Sequence, residues 1–198
     1  MREQKIGAPL GVEPEFYVLL EVEGEPERLI TWLESMLERS LVADGTLAQD
    51  SQQAQRLWAY REGITESLAP SFPHKNDVAL PVHALAAFYA DLEALLRQRY
   101  QGWDICVFGH IGDGNLHVNL LKPEAMSVQD VVAHTAGADQ ALFALVQRHG
   151  GSISAEHGIG LLKKPYLKYT RSEPEIAVLR AVKAALDPRN ILNPGKIF

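Results

Sequence analysis

The sequence predicts an α+β fold: an antiparallel or mixed β-sheet covered by helices, with a C-terminal helical tail. Three observations carry that expectation. Helical and strand periodicities alternate along the chain instead of segregating. A strong hairpin signal, Asp113-Gly114, lies between the apolar runs "DICVF" and "LHVNLL". The composition, 46% hydrophobic and 22% charged over 198 residues, is that of a globular chain large enough to bury a core without staples.

The elements follow in order. Residues 16–23 alternate and are rich in Val, Leu and aromatics, which predicts a strand. Pro26 suits a first helical turn, and Leu29, Ile30, Leu33, Met36 and Leu37 then repeat at helical spacing. "LVADGT" predicts a short strand and a turn at Asp44-Gly45. Asp50 is placed to cap a helix carrying Leu57, Trp58, Ile64 and Leu68. "PSFPHKN" is a loop punctuated by Pro70 and Pro73. "DVALPV" is a strand whose Pro81 favours an edge or terminal position. An amphipathic helix over 84–100, the two hairpin strands, and a long helix over 127–149 stopped by Gly150-Gly151 come next. "SISAEHGIG" is a strand entering a Gly-rich turn, 173–186 a last helix, and "DPRNILNPGKIF" an irregular tail.

Charge and cysteine usage exclude several function classes. A net charge of −6 and a pI near 5.6 leave no basic footprint for nucleic acid. The single cysteine, Cys106, rules out an intrachain disulfide and a Cys-rich zinc module, and its apolar strand points to packing. That usage fits a reducing, cytoplasmic compartment. No targeting segment is visible, and no apolar run approaches the ~20 residues of a membrane span. The abrupt start on a strand pattern fits a domain of a longer protein.

The stretch "FGHIGDGNLHVN", residues 108–119, concentrates the chemistry. A two-residue turn at Asp113-Gly114 would set Gly112 opposite Asn115, Ile111 opposite Leu116 and His110 opposite His117. Opposed residues have Cβ atoms ~4.5–5.5 Å apart on one face. Two imidazoles so placed can share a metal ion at ~2.0–2.1 Å per bond. Asn119 lies two residues on, on the same face. The plainer alternative is a cross-strand histidine pair holding no ion, and a one-residue bulge would part them. "SAEHGIG" offers Glu156 as a third ligand and His157 as a base, although an exposed polar turn reads the same way. Arg61 and Thr65 are spaced i, i+4 and, with Lys75, could hold a carboxylate; singly, each reads as surface. His74, His83, His134 and His149 suggest no chemistry, and "GDGN" sits in a hairpin, not in a nucleotide-binding turn.

"GHIGDGNLHVN", "SAEHGIG" and "LDPRNILNPGK" resemble the C-terminal part of FAD-linked oxidases of the vanillyl-alcohol oxidase superfamily. "LVADGTLAQD", "LWAYREGITESL" and "KNDVALPV" narrow the resemblance to the D-2-hydroxyglutarate dehydrogenase and D-lactate dehydrogenase branch, from about Phe16 to Phe198. The resemblance implies a ferredoxin-like substrate or cap domain over 1–150. Residues 151–198 would supply an active-site turn, a helix and a flavin-facing tail. It implies oxidation of a D-2-hydroxy acid to the 2-oxo acid with reduction of FAD. His110, His117 and Glu156 would bind a divalent metal, usually zinc, and His157 would be the base. Arg61, Thr65, Lys75 and Asn119 would contact substrate, and Asn193 and Lys196 would face the cofactor. The family's N-terminal FAD-binding domain has no counterpart in this sequence, which makes it an expected partner.

Three functions are then in play. The first is a catalytic half-site. The second is a module that binds metal or hydroxy acid but is silent without its FAD domain. The third is a metal-dependent hydrolase, which the oxidase-like tail argues against. A second anion site at Lys75 and Arg61 would favour D-2-hydroxyglutarate, and a small apolar pocket lactate. The oligomeric state stays open, with a homodimer among the options.

Overall fold

A computed structural model describes residues 7–135 and 137–198. The chain falls into two compact units, Met1–Pro70 and Ser71–Phe198.

The first unit is built from helices α1 (Pro26–Glu38), α2 (Ser51–Glu62) and α3 (Ile64–Leu68). Pro26 opens α1, where its missing N–H costs nothing. Asp50 caps α2 by accepting the Gln53 N–H at 2.7 Å. The helix expected to run on past Thr65 is interrupted at Gly63, so Arg61 and Thr65 sit on two elements. The strands expected at 16–23 and in "LVADGT" do not form, and among the described residues this unit contains no strand. Alternation supplies a face but not a ladder partner, and a lone strand is not stable. Residues Phe16 to Leu20 are exposed here, and Glu21 accepts the Trp58 indole N–H at 2.6 Å.

The second unit carries the sheet. Strands β1 (His74–Ala79), β2 (Asp104–His110) and β3 (Asn115–Leu121) are antiparallel in the order β1-β3-β2. Helix α4 (Leu85–Arg99) connects β1 to β2. The expected single helix over 127–149 is two, α5 (Val128–Thr135) and α6 (Ala138–Arg148). Gly137 divides them at φ 82°, a left-handed conformation that no α-helix continues through. After α6 the chain returns to β1 as one bridge, Ser152 with Ala79, instead of the expected strand. This β-α-β-β-α order, with β3 between β1 and β2 and the last strand reduced to a bridge, is the ferredoxin-like split βαβ arrangement.

Strand alternation gives the sheet two different faces. Val78, Val118 and Leu120 point to one side, into a core shared with Phe88, Leu92, Phe143 and Val146. The other side carries Lys75, Asp77, His110, Asn115, His117 and Asn119. Capped by the Ser172–Glu175 capping box, α7 (Glu173–Leu186) follows, and the irregular tail is tied back to it. There Asp187, which pairs with Lys183, accepts the Ile191 and Leu192 N–H groups at 3.0 and 2.9 Å.

The hairpin differs from its expected form. Residues Ile111–Asp113 make one turn of 3-10 helix, and Gly114 closes it at φ 71°. The connection is four residues long, and the register moves by two: His110 faces Asn115, and His117 faces Phe108. The two histidines are therefore diagonal neighbours on one face, not directly opposed. Gly114 is fixed by more than its φ. A Cβ there would lie 1.8 Å from the Leu80 carbonyl oxygen, and the Leu80 N–H donates to Gly114 O at 2.9 Å. Gly114→Ala must part those backbones as well as adopt a left-handed conformation costing ~1–2 kcal/mol. Its melting temperature should fall by on the order of 10 °C, given ~2–4 °C per kcal/mol for a chain this size. Differential scanning calorimetry checks this, and an unchanged transition would contradict it.

Candidate functional site

The polar face of the sheet meets the turn that follows the Ser152 bridge, and one carboxylate joins them. Asp77, on β1 opposite His117, is 1% exposed. Its Oδ2 accepts three consecutive backbone N–H groups, from Ala155 (3.0 Å), Glu156 (2.9 Å) and His157 (3.0 Å). Lys163 donates its ammonium to the Asp77 carbonyl at 2.9 Å and lies 4.0 Å from Oδ2. Burial works to raise the Asp77 carboxyl. The backbone donors of His157 and Glu156 and the charges of His157 and Lys163 outweigh it and hold the group below its ordinary value. Burial pushes the Lys163 ammonium down, and the Asp77 and Asp139 carboxylates only partly offset this.

His117 and His157 flank this anchor. His117 Nδ1 is 3.6 Å from Asp77 Oδ1, and His157 Nδ1 is 3.9 Å from Oδ2. The two rings stack with centroids 5.8 Å apart. The imidazole of His157 is more than half exposed, while that of His117 is largely covered. At the hairpin end, His110 Nδ1 is 3.4 Å from Glu156 Oε1. The same oxygen accepts the Asn115 amide at 2.6 Å, and Asn115 is the cross-strand partner of His110.

His110 and Glu156 meet at the hairpin end of the polar face, and His117 and His157 meet beside Asp77. Among the described residues, the three whose ligand atoms all lie within 4.8 Å of one another are Asp77, His117 and His157. Asn119 is buried on the same face and spends an amide hydrogen on the Cys106 carbonyl at 3.2 Å. Lys75 is its cross-strand neighbour and is exposed. Burial raises the Cys106 thiol, in keeping with packing. Arg61 and Thr65 belong to the first unit. Asn193 and Lys196 lie in the exposed tail, whose Ile197 N–H donates to Gly160 O in the "EHGIG" turn at 3.0 Å.

Sequence reasoning missed Asp77, Asn115 and Lys163. For Asp77 a signal existed: a carboxylate inside "NDVAL", spaced two from Lys75, is a charge placed in a buried strand.

The donor set suits a divalent cation. Two donors on one tetrahedral ion stand ~3.3 Å apart when each bond is ~2.0–2.1 Å, and His110 Nδ1 and Glu156 Oε1 are already at 3.4 Å. Two buried acceptors, Asp77 Oδ1 and Asn115 Oδ1, have no hydrogen-bond partner among the described residues. Imidazoles with carboxylate oxygens are the mixed nitrogen and oxygen set that zinc and its neighbours accept.

The family described as "FAD linked oxidases, C-terminal domain" matches residues 1–197. This chain belongs to that family. Its relatives include D-2-hydroxyglutarate dehydrogenase of Xanthomonas citri pv. viticola, 47% identical over 195 residues, which span 96% of this chain and 41% of that protein. The Stutzerimonas stutzeri protein of the same name is 43% identical over 98% of this chain and 42% of its own length. A putative mitochondrial D-lactate dehydrogenase of Schizosaccharomyces pombe is 37% identical over 95% of this chain and 38% of its own. The chain thus spans about two fifths of the relatives it matches.

Proposed function

We propose that this chain is the substrate-side part of an FAD-dependent dehydrogenase that oxidises a D-2-hydroxy acid, D-2-hydroxyglutarate or D-lactate, to the 2-oxo acid. The observation that carries the reading is the polar sheet face of His110 and His117 meeting the turn, bound by the buried Asp77, that carries Glu156 and His157. The names of the relatives support the substrate class.

In this reading His110, His117 and Glu156 hold a divalent cation, zinc by the chemistry of the donors. Such a cation supplies Lewis acidity, which lowers the pKa of a hydroxyl beside it. FAD supplies the two-electron acceptor and is held by an N-terminal domain. The chain's own residues then do three things. His157, exposed at the turn, accepts the proton of the substrate's 2-hydroxyl on a ring nitrogen. Lys75, Arg61, Thr65 and Asn119 bind and orient the carboxylate end or ends. The tail at Asn193 and Lys196, tied to Gly160, closes the flavin side. The proposed compartment is the cytoplasm; several relatives are named as mitochondrial. No helix among the described residues is long and apolar enough to cross a membrane.

The test is dye-coupled oxidation. With both parts present, D-2-hydroxyglutarate or D-lactate should reduce an electron-accepting dye, and chelation should abolish this until zinc is returned. The 198-residue chain mixed with FAD should stay silent, since it spans only about two fifths of its relatives. No dye reduction with either acid by the two parts together would overturn the reading.

A further inference from the structure

We propose that Asp77 is a positioning residue with two separable jobs: Oδ2 clamps the turn that presents Glu156 and His157, and Oδ1 sets the tautomer of His117. This rests on the reading above, in which His117 is a metal ligand.

The clamp consists of three converging amides. Consecutive N–H groups at 155, 156 and 157 all donate to one oxygen, and the Ser154 hydroxyl approaches it at 3.5 Å. Such a nest of amides binds an anion, and here the anion comes from a strand 78 to 80 residues away in sequence. The clamp alone does not call for a carboxylate. A single amide oxygen, as in Asn, would accept the same three bonds.

What calls for a carboxylate is the other oxygen. Asp77 Oδ1 is buried and accepts no hydrogen bond among the described residues. Directly across the ladder, His117 Nδ1 lies 3.6 Å away, just outside hydrogen-bond length. A small rotation of the ring lets Nδ1–H donate to Oδ1. The proton is then fixed on Nδ1, and the Nε2 lone pair is left to bind a cation. An Asn at 77 that keeps its oxygen on the three amides must turn its NH2 toward His117. That donor demands an acceptor Nδ1, which moves the ring proton to Nε2 and blocks the lone pair.

The experiment compares Asp77→Asn and Asp77→Ala with wild type in the 198-residue chain. Zinc affinity is read by competition with a chromophoric chelator, the His117 tautomer by NMR of 15N-labelled histidine in the metal-free protein, and stability by thermal melting. The wild type should carry its proton on His117 Nδ1. Asp77→Asn keeps the clamp but loses the charge beside Lys163, so it should melt between wild type and Asp77→Ala, shift that proton to Nε2 and bind zinc ~10–100-fold more weakly, the usual cost of losing an outer partner. Asp77→Ala should lose the clamp too and melt earlier. A wild type that takes up zinc, beside an Asn variant with equal affinity and an unchanged tautomer, overturns the role of Asp77 alone. A wild type that takes up no zinc overturns the metal reading and this proposal together. If Asp77→Asn fails to fold, the wild-type tautomer decides, and an Nε2–H ring overturns the assignment.

Discussion

Replacing His157 with Ala should lower the proposed hydroxy-acid oxidation by ~10²–10⁴-fold, the usual cost of removing a general base, and should leave zinc uptake at the wild-type level. The structure makes this separation measurable. The ring of His157 is 60% exposed, so truncation leaves no cavity in the core. Its backbone N–H, not its side chain, holds the turn to Asp77, so Glu156 stays in place in the variant. His157 also belongs to the group of mutually close ligand atoms with Asp77 and His117, which gives the experiment a second edge. Zinc analysis beside kcat tells the roles apart. Loss of rate with metal retained identifies a base. Loss of metal would make His157 a ligand and move the proton acceptor elsewhere.

His117→Ala should weaken zinc binding by more than ~100-fold, beyond the upper end of what outer partners contribute. Turnover should fall with metal occupancy and stay low at practical zinc concentrations. His117 occupies the central strand, between Asp77 on β1 and Phe108 on β2, with its ring 4.9 Å from that of Phe108. No neighbouring side chain on β3 can replace it, because Leu116 and Val118 point to the other face. His110→Ala should act in the same direction through the Glu156 pair, and its half-exposed side chain keeps stability out of the result. Chelator competition on the three proteins checks the order. Equal affinities would remove the strand histidines from the metal site.

Much of this arrangement is written in the sequence, and the parts that are not share a physical cause. The alternation in "LHVNLL" identifies which residues share a face, and it does so although the connection is longer than the two-residue turn that Asp113-Gly114 predicts. The four-residue connection shifts the register by two, and a shift of two preserves facing; a shift of one would have sent His117 into the core. The turn itself was illegible because Gly114 is held by Leu80, a residue from another strand's end. The same holds for residues 16–23, whose alternation is strand-like but which find no ladder partner among the described residues of their own unit. Asp77 shows the limit most sharply. Its burial and its role come from main-chain donors nearly 80 residues downstream, and main-chain donors leave no mark on residue identity.

The loop is gripped by its peptide groups, and every residue other than proline brings the same peptide hydrogen. Side chains at 155, 156 and 157 can therefore be exchanged without loosening the loop. An ancestral or engineered protein on this scaffold could trade one chemistry for another at those three positions, so long as the aspartate keeps its hold.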